Sequence, residues 1–423
     1  MIINYGKHLI DKDDIQSVIK SLSGNNITQG ENITKFESAL NNFFGSKYSS
    51  VVSSGTAALH LAGKALNWSK KDTVITTPLT FLASINSIIY SGARPELIDI
   101  NSETYTIDLN KLEDKLKIYK KKNKRISAVI AVDYAGHPCD WVGLKFLKNK
   151  YSFKLINDNC HAMGSKYQNS YKYAVKYADI VTHSYHAVKN FTTGEGGSIL
   201  TNDKKINNRV QKLRSHSMDK NKKIKNLRGN WFYEVDEIGY NYRLTDFQCA
   251  LGISQLKKLK KKIIQKRKIA KFYDKNFKNV EYLISPKISK NCFHSYHLYP
   301  LQVKFDEINI SKKRLFKIFY NRGINLQVHY IPVFLQNFYK KNFNFDKNEF
   351  KNCIEFYKNE ISSFIKKAQG KLSNSEYMKI QNNSKISFSP FGWGELGARD
   401  YEIILGGSLL VKPKMDHMQT WPN

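Results

Sequence analysis

Paired cysteines are missing from this 423-residue sequence. Its five cysteines, Cys139, Cys160, Cys249, Cys292 and Cys353, are odd in number and widely spaced, and none belongs to a CxxC pair. That pattern argues against a disulfide framework or a zinc knuckle, and no metal site is expected. No stretch reaches about 18 apolar residues, so a conventional membrane span is excluded. The opening MIINYGKHLIDKDD has neither a basic start nor an apolar core. No secretory signal is read, and a reduced cytoplasmic protein off the membrane is the expectation. Acidic residues are scarce as well: 36 Asp and Glu against 68 Lys and Arg leave a formal charge of +32. Such an excess suits a nucleic-acid or membrane-surface partner. Yet the sequence lacks an arginine-rich arm and any helix-turn-helix, RRM or zinc-finger pattern, so no nucleic-acid partner is expected. The densest basic run, KKLKKKIIQKRK at 257–268, has helical apolar spacing and reads as a solvated helix face.

What is present is ample core material, with 41% hydrophobic and 13% aromatic residues. At roughly 100–200 residues per domain, the length suits two to four domains. From residue 36 to 202 short apolar runs alternate with helix-period segments. The strands expected are 49–53, 73–76, 96–100, 128–133, 153–157, 180–184 and 197–200, with amphipathic stretches such as 57–66, 111–119 and 144–150 between them. This alternation predicts an α/β fold, a mostly parallel sheet covered on both faces. Thr245-Asp246-Phe247-Gln248 fits a capping box and predicts a long helix running towards Phe272. Beyond it, 292–305 and 325–329 read as strands around a helix near 312–321. A smaller α+β domain is therefore expected from about residue 275. After Phe364 the composition turns polar and then glycine-rich.

Four segments carry candidate chemistry. Ser53-Ser54-Gly55-Thr56-Ala57-Ala58-Leu59 passes from a strand through a tight turn into a helix, where unpaired amides and a positive dipole end suit a phosphate. A plain strand-to-helix connection would look the same. In Asn157-Asp158-Asn159-Cys160-His161 a carboxylate ends an apolar strand, where α/β sheets bind ligands. Asp158 there could keep a proton on a pyridine nitrogen, or merely cap a helix. Ser184 precedes Lys189 by five residues, and Gly194-Glu195-Gly196-Gly197 follows. The serine could hold phosphate and the lysine could form a Schiff base. Lastly, Asn241 and Arg243 in Gly239-Tyr240-Asn241-Tyr242-Arg243 are turn and capping residues or reach a phosphate across a subunit boundary.

Together these segments resemble the DegT-type family of pyridoxal-phosphate sugar aminotransferases, of the aspartate-aminotransferase-like fold type I. The matches run in family order: TQG at 28–30, SSGTAAL at 53–59, TTPLTFLASIN at 76–86, VDYAGHP at 132–138, NDNCHAMGS at 157–165, SYHAVKNFTTGEGG at 184–197, GYNYRLTDFQCALGISQL at 239–256 and QVHYIP at 327–332. The resemblance covers about residues 3 to 364. LRSHSM, GYNYRLTDFQ and QVHY carry a narrower likeness to its pseudaminic acid branch.

The resemblance implies a large domain, 1–274, with a seven-stranded sheet, and a small, apparently incomplete domain, 275–364. It implies pyridoxal 5'-phosphate as cofactor and Lys189 as the catalytic Schiff-base residue. Asp158 would pair with the ring nitrogen, Phe81 would stack on the ring, and His161 would sit near its hydroxyl. Thr56, Ala57 and Ser184 would hold the phosphate, with Asn241 donated by the other subunit of a homodimer. Thr28, Gly30, His329, Tyr330 and Arg243 would lie on the substrate side. The implied reaction moves an amino group, from glutamate, to C4 of a UDP-linked 4-keto-6-deoxy-N-acetylhexosamine. The rivals are another nucleotide-sugar aminotransferase with a 3-keto or dTDP-linked substrate, or a cofactor-binding regulator without turnover. A relative that dehydrates sugars replaces the lysine with histidine, and Lys189 argues against it. The tail, 365–423, instead resembles part of a GT-B glycosyltransferase, with Glu402 at the nucleotide-ribose position. About 50 residues cannot build a nucleotide-binding domain of ordinary size. The tail is expected to be a remnant or fusion without glycosyl transfer.

Overall fold

A computed structural model describes residues 6–219, 229, 231–363, 386–388 and 409–411. A seven-stranded sheet is built from β1 (Tyr48–Val52), β2 (Thr73–Thr76), β3 (Arg94–Leu97), β4 (Ala128–Val132), β5 (Lys154–Asp158), β7 (Ile180–Ser184) and β8 (Gly197–Thr201); β6 (Lys166–Tyr167) lies outside it. Its order is β1-β8-β7-β5-β4-β2-β3. Every pairing from β7 to β3 is parallel. β8 runs antiparallel to both neighbours, so β1 points the same way as β7. The two-residue period of a strand shows directly in β4, whose Val129 and Ala131 enter one apolar core while Ala128 and Ile130 enter another. One core is filled by Phe36, Leu40, Trp141 and Leu256, the other by Ala57, Leu61, Ile88 and Val210. Helices thus cover both faces, as expected of parallel strands.

The strand expected at 96–100 begins earlier, at Arg94. β3 is an edge strand, and Pro95 is tolerated there because an edge leaves one row of amides unpaired. The long helix, Asp246–Phe277, starts as the capping pattern predicts: Gln248 Oε1 accepts from the Thr245 amide at 3.2 Å and from its hydroxyl at 2.7 Å. Its first half packs Cys249, Leu256 and Leu259 into the large core. Its last turns give Ala270, Tyr273 and Phe277 to a separate core with Tyr299, Leu301, Leu315 and Phe319. That second core lies against an antiparallel sheet of Leu283–Ile284, Tyr299–Val303 and Glu360–Ser363 and a helix at Lys312–Asn321.

Three expectations need correction. The 292–305 stretch splits into strands Cys292–Phe293 and Tyr299–Val303, because the chain between them bonds to the turn after β4. There the Ser295 amide reaches the Gly136 carbonyl and the Leu298 amide reaches that of Ala135. Residues 325–329 form no strand: the His329 amide is taken by the Glu360 carboxylate at 3.3 Å and its carbonyl by the Tyr134 hydroxyl. The basic run is only partly solvated. Lys258 meets Asp14 at 3.0 Å, Lys262 reaches Gln255 at 2.6 Å, Lys266 reaches Asn190 at 2.7 Å, and the Arg267 guanidinium lies 3.9 Å from the Phe293 ring centre. Ile386–Phe388 and Leu409–Val411 pair in parallel; the rest of the expected glycosyltransferase-like segment, Glu402 included, lies outside the described residues.

Candidate active site

Because β1, β2, β4, β5 and β7 all point one way, their carboxyl ends gather the segments that follow them at one edge of the sheet. β1 leads into helix α3 (Gly55–Ala65), capped by Ser54, whose hydroxyl accepts from the Ala57 amide at 3.0 Å. The Ala57 amide is therefore already engaged, and the Gly55 and Thr56 amides stand open at the helix start. Ser184, the last residue of β7, lies against Gly55 so tightly that a Cβ there would come within 2.7 Å of the serine Cβ. A Cβ on Gly197 would come within 2.5 Å of the Ser54 carbonyl oxygen. Two glycines thus let α3, β7 and β8 converge on a cradle of open amides and the Ser184 hydroxyl.

Lys189 sits in the loop between β7 and β8. That loop is drawn together where the Tyr185 amide bonds to the Gly196 carbonyl and the Thr192 hydroxyl to the Tyr185 carbonyl at 2.8 Å. No hydrogen bond or ion pair holds the Lys189 ammonium among the described residues. Burial lowers its pKa, opposed by nearby Cys160 and Asp158. Asp158, buried at the end of β5, accepts from the Ser84 hydroxyl at 2.7 Å and the Cys160 amide at 3.2 Å. His161 accepts at Nδ1 from the Ala135 amide at 3.3 Å, so a neutral ring carries its proton on Nε2. Burial first, then Lys189 and His329, hold its pKa well below the usual value and keep it neutral. Nε2 lies 3.0 Å from the Tyr330 hydroxyl. The Phe81 ring is 54% exposed, with its centre 5.7 Å from that of Tyr330.

Residues 8–369 match the DegT/DnrJ/EryC1/StrS aminotransferase family. This chain belongs to that family. It is 39% identical over 361 residues to a UDP-4-amino-4,6-dideoxy-N-acetyl-beta-L-altrosamine transaminase of Campylobacter jejuni, covering 85% of this chain and 92% of that protein. The solved structure of Helicobacter pylori PseC, an aminotransferase of pseudaminic acid biosynthesis, superposes with a TM-score of 0.76 at 34% identity, over 90% of this chain and 97% of that one. The PLP form of a putative sugar aminotransferase, Spr1654 of Streptococcus pneumoniae, gives 0.76 at 27% identity, with 90% and 97% covered. The cofactor of this DegT-family enzyme is pyridoxal 5'-phosphate, and the residues fit it. Helix-start amides beside the Ser184 hydroxyl, a lysine without a hydrogen bond or ion pair among the described residues, a carboxylate at a strand end and an aromatic ring half open to solvent all follow strands of the one sheet.

The structure brings Lys189, Asp158, His161, His329 and Tyr330 together: burial first, then Lys189, lowers the His329 pKa to about 3, and Tyr330 reaches His161. Thr28 and Gly30 lie instead at the start of the long helix, Thr28 bridged to Thr245 and Gly30 packed on Asp246. That helix start touches the lysine loop, where Gln248 Nε2 donates to the Glu195 carbonyl at 2.9 Å. Asn241 is exposed and Arg243 half-buried, each without a side-chain hydrogen bond or ion pair among the described residues. Both lie in a segment pinned to the end of β1, where the Ser53 amide bonds to the Tyr242 carbonyl. Sequence reasoning missed Ser84, Tyr134 and Asp133. Asp133 is a fully buried carboxylate that accepts from the Cys139 amide, Trp141, Asn157, Asn159 and Tyr173 and so fixes the turn carrying Asp158. Ser84 sits in the quoted TTPLTFLASIN motif, four residues after Thr80, and that spacing was the available signal.

Proposed function

We propose that this enzyme transfers an amino group from glutamate to C4 of a UDP-linked 4-keto-6-deoxy-N-acetylhexosamine. The observation that carries the reading is buried Lys189, without a hydrogen bond or ion pair among the described residues and set electrostatically against Asp158. The substrate class rests on the names of the Campylobacter and Helicobacter relatives. When bound, pyridoxal phosphate supplies an electron sink that makes the donor α-proton acidic. Asp158 keeps the ring nitrogen protonated. The lowered pKa of Lys189 favours the neutral amine that carries a proton between the donor carbon and the cofactor carbon. Neutral His161, its Nε2 proton directed to Tyr330, adds no charge beside the ring. Thr56 and Ser184 would receive the phosphate, joined by Ala57 once its amide leaves the Ser54 hydroxyl; Phe81 would cover the ring, and Thr28, Gly30, Arg243, His329 and Tyr330 would border the sugar. The intact Lys189 and Asp158 argue against a regulator without turnover.

The test has two parts. Borohydride reduction and peptide mapping place the label on Lys189; a label on another lysine sinks the assignment, and Lys189→Arg loses transamination because a guanidinium cannot shuttle the proton. Glutamate-loaded enzyme, mixed in a single turnover with 4-keto and 3-keto sugars on UDP, GDP and dTDP, is expected to aminate the 4-keto UDP-sugar fastest. Preference for a 3-keto or dTDP-linked sugar overturns the substrate.

The reading includes a homodimer with shared sites, supported by the exposed Trp231 (77%) and Ile238 (84%) beside exposed Asn241. Mixed Lys189→Ala and Asn241→Ala chains form heterodimers with one doubly damaged and one intact site. Activity returns on mixing; freely exchanging subunits without recovery refute the shared site.

A further inference from the structure

Asp158 is buried, and each of its oxygens accepts a hydrogen bond from this chain: Oδ1 from the Cys160 amide at 3.2 Å, Oδ2 from the Ser84 hydroxyl at 2.7 Å. A carboxylate can only accept, so the single hydroxyl proton of Ser84 is committed to Asp158. Ser84 Oγ also lies 2.7 Å from Thr80 Oγ1. With the Ser84 proton already used, Thr80 is the donor in that pair. The result is a directional relay, Thr80 to Ser84 to Asp158, whose two hydroxyl-bearing residues are buried away from water. Linked donors polarise one another, so the Thr80 bond strengthens the one Ser84 makes.

The relay is carried by the start of helix α4 (Leu82–Tyr90), whose N-cap residue is Phe81. Ser84 is the third helical residue, and its amide bonds back to the Phe81 carbonyl at 3.2 Å. The residue that covers the cofactor ring and the residue that grips Asp158 therefore belong to a single turn. Nothing in the Cys160 contact alone stops the carboxylate from turning about its own axis; the Ser84 bond adds the second fixed point.

We propose that Ser84, backed by Thr80, is a positioning residue that fixes the rotation of the Asp158 carboxylate, so that a free lone pair stays aimed at the cofactor's ring nitrogen. It acts through Asp158 and touches neither substrate nor cofactor. A charge-assisted bond to the ring nitrogen depends steeply on direction, so a carboxylate free to rotate holds the ring proton less firmly. The inference rests on the pyridoxal-phosphate assignment.

The test uses the holoenzyme reconstituted with pyridoxal phosphate labelled with 15N in the ring. The ring-nitrogen chemical shift is followed against pH, and the amino-donor half-reaction is timed in single turnovers. In Ser84→Ala the ring nitrogen loses its proton about one pH unit or more below wild type. The half-reaction slows about tenfold at saturating donor, while half-saturation moves less than about twofold. Ser84→Thr, which keeps the hydroxyl, restores both. An alanine variant that titrates like wild type overturns the proposal, as does a threonine variant that titrates like alanine. Should Ser84→Ala fail to fold, Thr80→Val decides: a smaller downward shift supports the relay and an unchanged titration refutes it. A wild-type protein that takes up no cofactor refutes the cofactor assignment itself, an outcome distinct from all of these.

Discussion

Gly55 stands where two opposing effects can be weighed. Alanine is favoured over glycine in a helix by about 1 kcal/mol. At Gly55, however, the new Cβ comes within 2.7 Å of the Ser184 Cβ, and overpacking of that kind costs about 1–3 kcal/mol. Steric cost wins, and relief comes by separating α3 from the end of β7, which widens the phosphate cradle. Gly55→Ala is therefore expected to release cofactor at least tenfold more readily while circular dichroism stays unchanged. Cofactor retention equal to wild type after dialysis counts against the cradle. Asp158 and Lys189 were legible in the sequence because each follows an apolar strand at the point where chemistry collects, with glycines marking the return of the chain. Ser84 was not, since the Thr80 spacing hints only at a hydroxyl pair, while the Asp158 partner lies 74 residues away. Asp133 read only as part of a motif, because its five donors come from three separate parts of the chain.

At the level of elements, the joint between the N-terminal arm and the long helix turns on Asp246. Its carboxylate accepts from the Ser21 hydroxyl at 3.0 Å and the Asn32 amide at 2.9 Å, and a Cβ on Gly30 would come within 2.4 Å of it. Gly30→Ala is expected to destabilise the fold by about 1–3 kcal/mol by forcing that carboxylate aside. A thermal scan checks this: a lowered midpoint with sugar affinity preserved marks a structural role, whereas an unchanged midpoint with weakened sugar binding restores the substrate-side role. Strand and helix positions in the large sheet were readable because buried parallel strands are continuous apolar runs. The segment 325–329 was misread for a physical reason. Its apolar residues suit a strand, but Gln327 makes only a lone β-bridge, and the His329 amide and carbonyl are taken by the side chains of Glu360 and Tyr134. The basic run misled similarly, because lysine counts do not reveal which acids and rings an adjacent element presents.

Among the described residues of the whole molecule, burial is the largest cause lowering the pKa of seven histidines, His60 among them. The pKa falls to about 4 at His137 and about 3 at His183 and His329, and well below normal at His161, His294 and His297. Below pH 6.5 the unfolded chain binds protons that the folded one refuses, so stability declines as pH falls from 6.5 towards 4. Each such histidine removes up to about 1.4 kcal/mol at pH 5.5. Asp133 works in the opposite sense. Burial raises its pKa to about 6, so its contribution is full below the ordinary carboxylate range and lost as pH rises through 6. Seven groups outweigh one, and the thermal midpoint is expected to be lower at pH 5.5 than at pH 7.5; equal midpoints refute the balance. The grip of Glu360 on the His329 amide has a further consequence, in the timing of synthesis. Asp158 and Lys189 leave the ribosome on the order of ten seconds before Glu360 does. A nascent chain can therefore close its parallel sheet while His329 and Tyr330 still lack their anchor. The segment carrying His329 is then completed by the strand that begins at Glu360, after the parallel sheet is already in place.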